Sequence, residues 1–346
     1  MSRILHVSEA WGGGIVTAIE WLVEQAPHHE HHLLFAPRVE SARTPSSELF
    51  ERVIEVTAGR RSFAKVARQM VAHAGYDIVH SHSSWAGAFV RLGTTTDAMQ
   101  VYSPHCFAFE RLDVHPLMRA TFRQVEQRAV HNTDLLVANG RHEAQLAQAL
   151  GHRHVVDLPM LGQPLQVPGI ARPSERPRLA MLGRIAEQKD PDYFVRLIER
   201  VRRQVDVDAV WIGAPDPSHD ADDLRRMGIE VTGWQDTAGV AAHLMASSHY
   251  IHSAAWEAGV PLAVLEAARQ GLPVVCRANA CLDWSGFPRA ATLDEHVAMV
   301  VRSIVDPLER GRLVEQSRNA LTNVERAAAR VDLDGLYGAS PVRVAA

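Results

Sequence analysis

Short continuous apolar runs alternate along this chain with longer stretches whose apolar residues recur every three or four positions. RILHVSEA (3–10) predicts a buried strand, Gly12–Gly13–Gly14 a tight turn, and IVTAIEWLVEQA a helix. HHLLFAP (31–37), VIEV (53–56), YDIVHSH (76–82), MQVYSPH (99–105) and TDLLVANG (133–140) predict further strands, with helices between several of them. Because these runs are continuous rather than alternating, they predict parallel strands covered on both faces.

After HVVDLPM (154–160) a segment carrying Pro164, Pro168, Pro173 and Pro177 rules out a regular element and reads as a linker. The pattern then restarts. RLAMLGRI (178–185), DAVWIGAP (208–215), IEVTGW (229–234), SHYIHSA (248–254) and LPVVCR (272–277) predict strands. Helices are expected over 190–204, 220–227, 237–246 and 262–270, and the tail after Val305 reads as helical. The expected architecture is α/β: two doubly wound domains facing across a cleft. The first spans 1–160, the linker 161–177, the second 178–310, and helices over 311–346 are expected to pack back toward the first domain.

With 346 residues, of which 47% are hydrophobic, the chain can build two cores. A net charge of −4 leaves no cationic excess for a phosphate polymer, so nucleic acid is excluded as a principal partner. Three cysteines at unrelated spacings make neither a disulfide framework nor a zinc pattern. The opening residues lack the apolar run of a signal peptide, and no stretch reaches the roughly 20 apolar residues of a spanning helix. A cytoplasmic protein is expected, at most peripheral on a membrane.

Four groupings carry candidate chemistry. The Gly12–Gly14 loop lets a backbone approach a ligand and leaves helix N–H groups for an anion, although a plain strand-to-helix turn explains it equally well. In LGRIAEQKD (182–190), Gly183 ends a strand and Arg184 and Lys189 follow, where an open parallel sheet binds its ligands; two cations there suit a diphosphate. The alternative is that they pair with surface acids such as Glu187. In WEAGVPLAVLEAARQGLPVV (256–275), Glu257 and Glu266 flank a helix start, and a carboxylate accepts two hydroxyls of one sugar. Glu266 on an apolar helix face is costly without a partner, whereas Glu257 is equally readable as an exposed loop acid. Finally, His105 follows a strand end, where it can bond a ligand or exchange a proton.

Most of the 19 histidines must be uninvolved. HHEHH (28–32) reads as a turn with spacing too compressed for a metal. His80 and His82 are placed on opposite faces of their strand, one of them lining the cleft. Asp220, Asp222 and Asp223 read as the acidic start of a helix and not as a metal site.

Taken together, the Gly-Gly-Gly loop, DIVHSHS, YSPH, LLVANGRHEAQLA, LGRIAEQK, VTGWQD and WEAGVPLAVLEAARQGLPVV, in that order, resemble the retaining glycosyltransferases of family four, with the GT-B fold of two Rossmann-like domains. The resemblance covers nearly the full length. It implies that Arg184 and Lys189 neutralise a diphosphate next to Gly183, that Glu266 holds the ribose hydroxyls, and that the backbone over Gly259, Val260, Pro261 and Leu262 meets the phosphates or donor sugar. It further implies that His105 approaches the donor sugar, that Gly13 and Gly14 lie near the diphosphate and acceptor, that Asn139 lies at a strand end facing the cleft, and that Gly233 and Trp234 lie near the base. The family separates its two glutamates by seven residues; here eight intervene, so strict register puts Ala258 at the first position unless a bulge brings Glu257 to the donor sugar.

What the resemblance implies is a metal-independent hexosyltransferase with no cofactor. It moves a sugar from a nucleotide diphosphate to a glycan, lipid-linked or small-molecule hydroxyl in bacterial surface polysaccharide or glycoconjugate synthesis. The acceptor would meet the first domain, including Glu110 and Arg111. Arg60, Arg61, Lys65, Arg68, Arg119, Arg123 and Arg128 are either lipid-headgroup contacts or solvated helix faces. A sugar-nucleotide 2-epimerase and a degenerate sugar-nucleotide-binding protein share the architecture and remain alternatives.

Overall fold

The computed structural model describes residues 1–38, 44–93, 96–163 and 176–338. Pro164, Pro168 and Pro173 of the expected linker, and the chain end after 338, lie outside them. The chain divides into two compact units, one holding residues 1–163 and the chain from Ala327 onward, the other the residues between.

In the first unit seven parallel strands run in the order β3-β2-β1-β4-β5-β6-β7. They are β1 (Arg3–Trp11), β2 (Glu30–Pro37), β3 (Arg52–Glu55), β4 (Ile78–His82), β5 (Met99–Ser103), β6 (Leu135–Ala138) and β7 (Val155–Asp157). Among the described residues the connecting α-helices are α1 (Gly14–Glu24), α2 (Arg60–His73), α3 (Ser84–Arg91), α4 (Pro116–Ala129) and α5 (Arg141–Leu150). Alternation along β1 sends Leu5 and Val7 to one face, against Phe63, Ala67 and Val71 of α2, and Ile4 to the other, against Trp21 and Leu22 of α1. The α2 trio recurs every four residues, so one stripe of that helix is apolar and its rest is wet.

The second unit holds six parallel strands in the order β10-β9-β8-β11-β12-β13. They are β8 (Arg178–Leu182), β9 (Asp208–Ile212), β10 (Glu230–Val231), β11 (His249–His252), β12 (Val274–Arg277) and β13 (Arg289–Ala290). The helices are α6 (Pro191–Arg202), α7 (Asp222–Arg226), α8 (Thr237–Met245), α9 (Leu262–Arg269), α10 (Leu293–Val305) and α11 (Pro307–Ala328). Helix α6 begins with Pro191 behind an Asp190 cap that accepts from Tyr193 N at 2.9 Å, and it buries Phe194, Leu197, Ile198 and Val201. A capping box of Thr292 and Glu295 starts α10. The last helix, α12 (Leu333–Gly338), packs in the first unit, where Leu333 and Tyr337 join the core beside β1 and β4.

Three expectations need correction. His80 and His82 share a face, with ring centroids 4.0 Å apart, because residues two apart on a strand point the same way. The turn read over 28–32 stops short, because β2 begins at Glu30 and holds His31 and His32, as the strand expected over 31–37 has them. The strands of the second unit end earlier than their apolar runs: β9 stops at Ile212 because Gly213 turns at φ 149°, and β10 stops at Val231, two residues before Gly233 at φ 72°. Strand β13, only two residues long, and helix α10 were not anticipated.

Candidate active site

Both sheets reverse strand order next to their first strand, between β1 and β4 and between β8 and β11. At such a point the connections leave in opposite directions and open a crevice at the carboxyl ends of the two strands. Chemistry-bearing residues gather at both.

In the second unit, β8 ends at Leu182, Gly183 and Arg184 follow, and a short turn over Glu187–Lys189 leads into α6. Next door, β11 is followed by Ser253 and Glu257. Lys189 Nζ is ion-paired with a Glu257 oxygen, and both side chains are largely buried. The same oxygen lies 3.1 Å from His252 Nε2, and the other accepts from Gln188 Nε2 at 3.1 Å. Burial alone would raise the Glu257 carboxyl, but the Lys189 charge and the His252 contact outweigh it and bring it down to about 2. The exposed-loop alternative for Glu257 is thereby removed. Ser253 Oγ donates to the Lys189 carbonyl at 2.6 Å and fixes that turn.

Gly183 is required for the same reason: at φ 149°, a Cβ there would press on Lys189 Cε at 3.2 Å. Gly213 packs still closer, since its Cβ would lie 2.1 Å from the Gly183 carbonyl oxygen, which also accepts from Trp211 Nε1 at 2.7 Å. Arg184 is half-exposed and bonds Asp216 at 2.7 Å, so its acidic partner is Asp216 and not Glu187. Gly233 bridges to Gly213, and Trp234 beyond it is 60% exposed, an aromatic face open to solvent.

Gly259, Val260 and Pro261 lead into α9, whose first turn at Leu262 has no side-chain cap, leaving amide donors for an anion. Glu266, one turn in, sits beside buried Val264, Leu265 and Ala267. Nothing among the described residues hydrogen-bonds its carboxylate. Burial raises it to about 7, only partly opposed by Arg269.

In the first unit, Gly13 (φ 61°) precedes α1 without a side-chain cap, and Gly13 and Gly14 have open space where a Cβ would stand. His105 and Cys106 both adopt left-handed backbone, at φ 48° and 92°. The buried Glu143 at the start of α5 holds this strained pair: one oxygen accepts from Cys106 N and the other from Asn139 N, both at 2.7 Å. Its burial raises that carboxyl to about 7 against the pull of the two N–H groups. Asn139 in turn accepts from Met160 N at 3.0 Å. Glu143 thus joins the loops of His105 and Asn139, two residues picked from sequence. His105 Nε2 lies 3.0 Å from His82 Nδ1, and burial lowers its imidazole to about 4.

The sequence reading missed the supports: Glu143, Asp216, Gln188, His252, Gly213 and the buried His6 and His31; it named His80 and His82 with one lining the cleft, and both are fully buried. Only Gly213, in WIGAP after a strand, carried a local signal. Among the described residues, His6, His80 and His82 have the spacing of a metal-ligand set. Their nitrogens are already committed: His6 to His82 and His31, and His80 to Tyr337 Oη at 2.6 Å and Ser103 Oγ at 2.9 Å. The cluster is a hydrogen-bond network.

Residues 13–159 match the family described as glycosyl transferase 4-like domain, and residues 176–291 match glycosyl transferases group 1. An uncharacterised 41.2 kDa protein in the cps region of Klebsiella pneumoniae is 23% identical, covering 81% of this chain and 82% of its own. The UDP-Gal:alpha-D-GlcNAc-diphosphoundecaprenol alpha-1,3-galactosyltransferase of Escherichia coli is also 23% identical, over 74% of this chain and 73% of its own. Sucrose-phosphate synthase from Thermosynechococcus elongatus superimposes with a TM-score of 0.78 at 16% identity, covering 98% of both chains. Two parallel Rossmann-like sheets, each with polar residues gathered at its own strand reversal, and family matches across both units establish that the chain belongs to the group 1 glycosyltransferases of the GT-B fold.

Proposed function

We propose that the protein is a retaining hexosyltransferase that takes its sugar from a nucleotide diphosphate. The observation that carries this reading is the pairing, within one unit, of a buried cation, Lys189, with an acid left without a hydrogen-bond partner, Glu266, on the helix that opens at Leu262. Lys189, Arg184 and the uncapped amides of α9 meet the diphosphate, and Glu266 takes the ribose hydroxyls. Trp234 offers its face to the base. Glu257 holds Lys189 in place, and its second oxygen, now bonded by Gln188, is available to a hydroxyl of the donor sugar. His105 keeps the donor-sugar role that the family resemblance implies for it.

The leaving diphosphate develops charge as the glycosidic bond breaks, and fixed cations favour that charge over the ground state. The acceptor hydroxyl attacks from the face the diphosphate leaves, and a phosphate oxygen takes its proton. No carboxylate nucleophile and no metal enters this scheme. The Escherichia coli relative named as a galactosyltransferase acting on a diphosphoundecaprenol-linked sugar supports a hexose donor and a lipid-linked glycan acceptor in surface polysaccharide synthesis.

Such an acceptor brings the enzyme to a membrane. No helix among the described residues is long and apolar enough to cross one. Leu112, Leu117 and Met118, however, are 56%, 75% and 51% exposed in a segment that also carries Arg111 and Arg123, a composition that suits the cytoplasmic face of an anionic bilayer.

The test is incubation with a panel of radiolabelled nucleotide sugars and polyprenyl diphosphate-linked acceptors. Transfer with retained anomeric configuration supports the reading. Inversion at the anomeric centre, isomerisation of the free nucleotide sugar, or binding without turnover would replace it, the last two with the epimerase and the degenerate binding protein. Cosedimentation with phosphatidylglycerol vesicles, lost in Leu117→Asp/Met118→Asp, tests the membrane contact.

A further inference from the structure

Behind His105 four imidazoles form one continuous hydrogen-bonded file. His105 Nε2 meets His82 Nδ1 at 3.0 Å, and His82 Nε2 meets His6 Nδ1 at 3.0 Å. His6 Nε2 meets His31 Nδ1 at 2.9 Å, and His31 Nε2 meets the carbonyl oxygen of Ala26 at 2.8 Å. The file runs from the loop after β5 through β4 and β1 to β2. His6 and His82 are fully buried, His31 nearly so.

The end of the file sets its direction. A carbonyl oxygen only accepts, so His31 carries its proton on Nε2 and its Nδ1 is a lone pair. His6 must then donate from Nε2, His82 from Nε2, and His105 from Nε2. Four neutral rings have four N–H groups, and all four are used. Running the file the other way would set a bare His31 nitrogen against the Ala26 oxygen, and any mixed pattern would face two lone pairs or two N–H groups at 3 Å in a dry interior. Burial keeps the rings neutral: it lowers His6, His82 and His80 well below the ordinary histidine range and lowers His31 too. His80, packed at 4.0 Å from His82, cannot interrupt the file, because its two nitrogens are held by Tyr337 and Ser103.

We infer that this file locks the tautomer of His105, so that Nδ1 is left as an obligate hydrogen-bond acceptor and the ligand group it meets must be a donor, such as a sugar hydroxyl. His82, His6 and His31 are positioning residues for a histidine that touches substrate, the last of them three imidazoles removed from it. The identity of the hydroxyl as that of a donor sugar rests on the proposed glycosyl transfer; the lock itself does not.

The lock is read directly in the free protein, labelled with ¹⁵N-histidine, from two-bond ¹H–¹⁵N correlations near pH 7, with His105→Gln and single substitutions assigning the peaks. His105, His82, His6 and His31 are expected all in the Nε2–H form, with the reversed form under roughly 1%. A wild-type His105 in the Nδ1–H form, as an averaged mixture, or as imidazolium overturns the inference, whether or not the protein transfers sugar. His31→Leu removes the anchor: the His105 signal should become a mixture and KM for the nucleotide sugar should rise about 5- to 10-fold with a smaller change in kcat, while His31→Gln, which supplies an amide donor to Ala26 and an acceptor to His6, restores both. A folded His31→Leu protein with unchanged His105 tautomer also overturns the lock, and if that variant does not fold the wild-type spectrum still decides. An intact lock with no sugar transfer would reject the function and leave the lock standing.

Discussion

The ammonium of Lys189 is buried against the carboxylate of Glu257, while Arg184, five residues earlier, is half-exposed on Asp216. Two cations assigned to one diphosphate therefore contribute differently to stability. Arg184→Ala should leave the melting temperature nearly unchanged, since exposed pairs are worth about 0–1 kcal/mol, yet slow kcat by roughly 10-fold or more. Lys189→Ala strands a buried carboxylate and should cost about 3–5 kcal/mol as well as activity. Adding Glu257→Gln to Lys189→Met should recover much of the stability but none of the turnover. Thermal melts alongside initial rates check this, and equal melts for Arg184→Ala and Lys189→Ala would contradict the burial argument. For Arg184→Ala/Lys189→Ala, kcat should fall roughly 10²-fold.

Glu143 makes the second prediction. Its two oxygens hold the N–H groups on either side of a strained turn, so Glu143→Gln, whose amide nitrogen must face one of those donors, should destabilise by about 1–3 kcal/mol. The freed His105 loop should also raise KM for the nucleotide sugar. Hydrogen exchange at Cys106 and Asn139 amides reads the same event: both should exchange faster in the variant.

The fold was largely legible because most of the parallel strands left a short, mainly apolar run, and six of the thirteen described end at or just before Gly, Pro or Asn. Gly183, Lys189 and Glu266 were legible for the same reason, since a strand end or a helix start located them. Glu257 was legible as a residue but not in its surroundings, because its partners Lys189 and His252 are 68 and 5 residues away and only the adjacency of β8 and β11 brings them together. The histidine file could not be read at all. Its members come from four segments, and apolar patterning treats His6, His31 and His82 as interruptions of strands. The error over His80 and His82 came from applying strand alternation to residues two positions apart.

Gly213 tests how closely the two loops beside Lys189 must pack. An alanine Cβ would meet the Gly183 carbonyl oxygen at 2.1 Å, against backbone that cannot swing aside, and φ 149° is itself unfavourable for alanine. Gly213→Ala should therefore displace the Gly183 turn, destabilise by about 2 kcal/mol or more, and reduce turnover beyond what that destabilisation explains at temperatures where the variant is fully folded. Gly233→Ala, with open space at its Cβ and only the positive φ against it, should be milder. Denaturant melts of the pair separate contact from conformation.

Glu266 gives a pH signature whose sign is fixed. Its carboxyl lies near 7 in the folded chain against an ordinary 4.5, so between those values the folded protein holds a proton that the unfolded chain has lost. Stability from this group is therefore complete below about pH 4.5, declines as pH rises, and is gone above about 7. Glu266→Gln removes that loss: its melting temperature should match wild type below pH 4.5 and exceed it by a few degrees at pH 8, a gain on the order of 1–3 kcal/mol. Ribose hydroxyls donate to the ionised form, so nucleotide binding should release a proton between pH 5 and 7 and tighten as pH rises through that range. In Glu266→Gln the affinity should fall about 10- to 100-fold and the pH dependence should flatten. Calorimetry of nucleoside diphosphate binding in buffers of different ionisation enthalpy reads the proton count, and a variant that is more stable at pH 8 yet binds as tightly as wild type would separate the buried acid from the ribose.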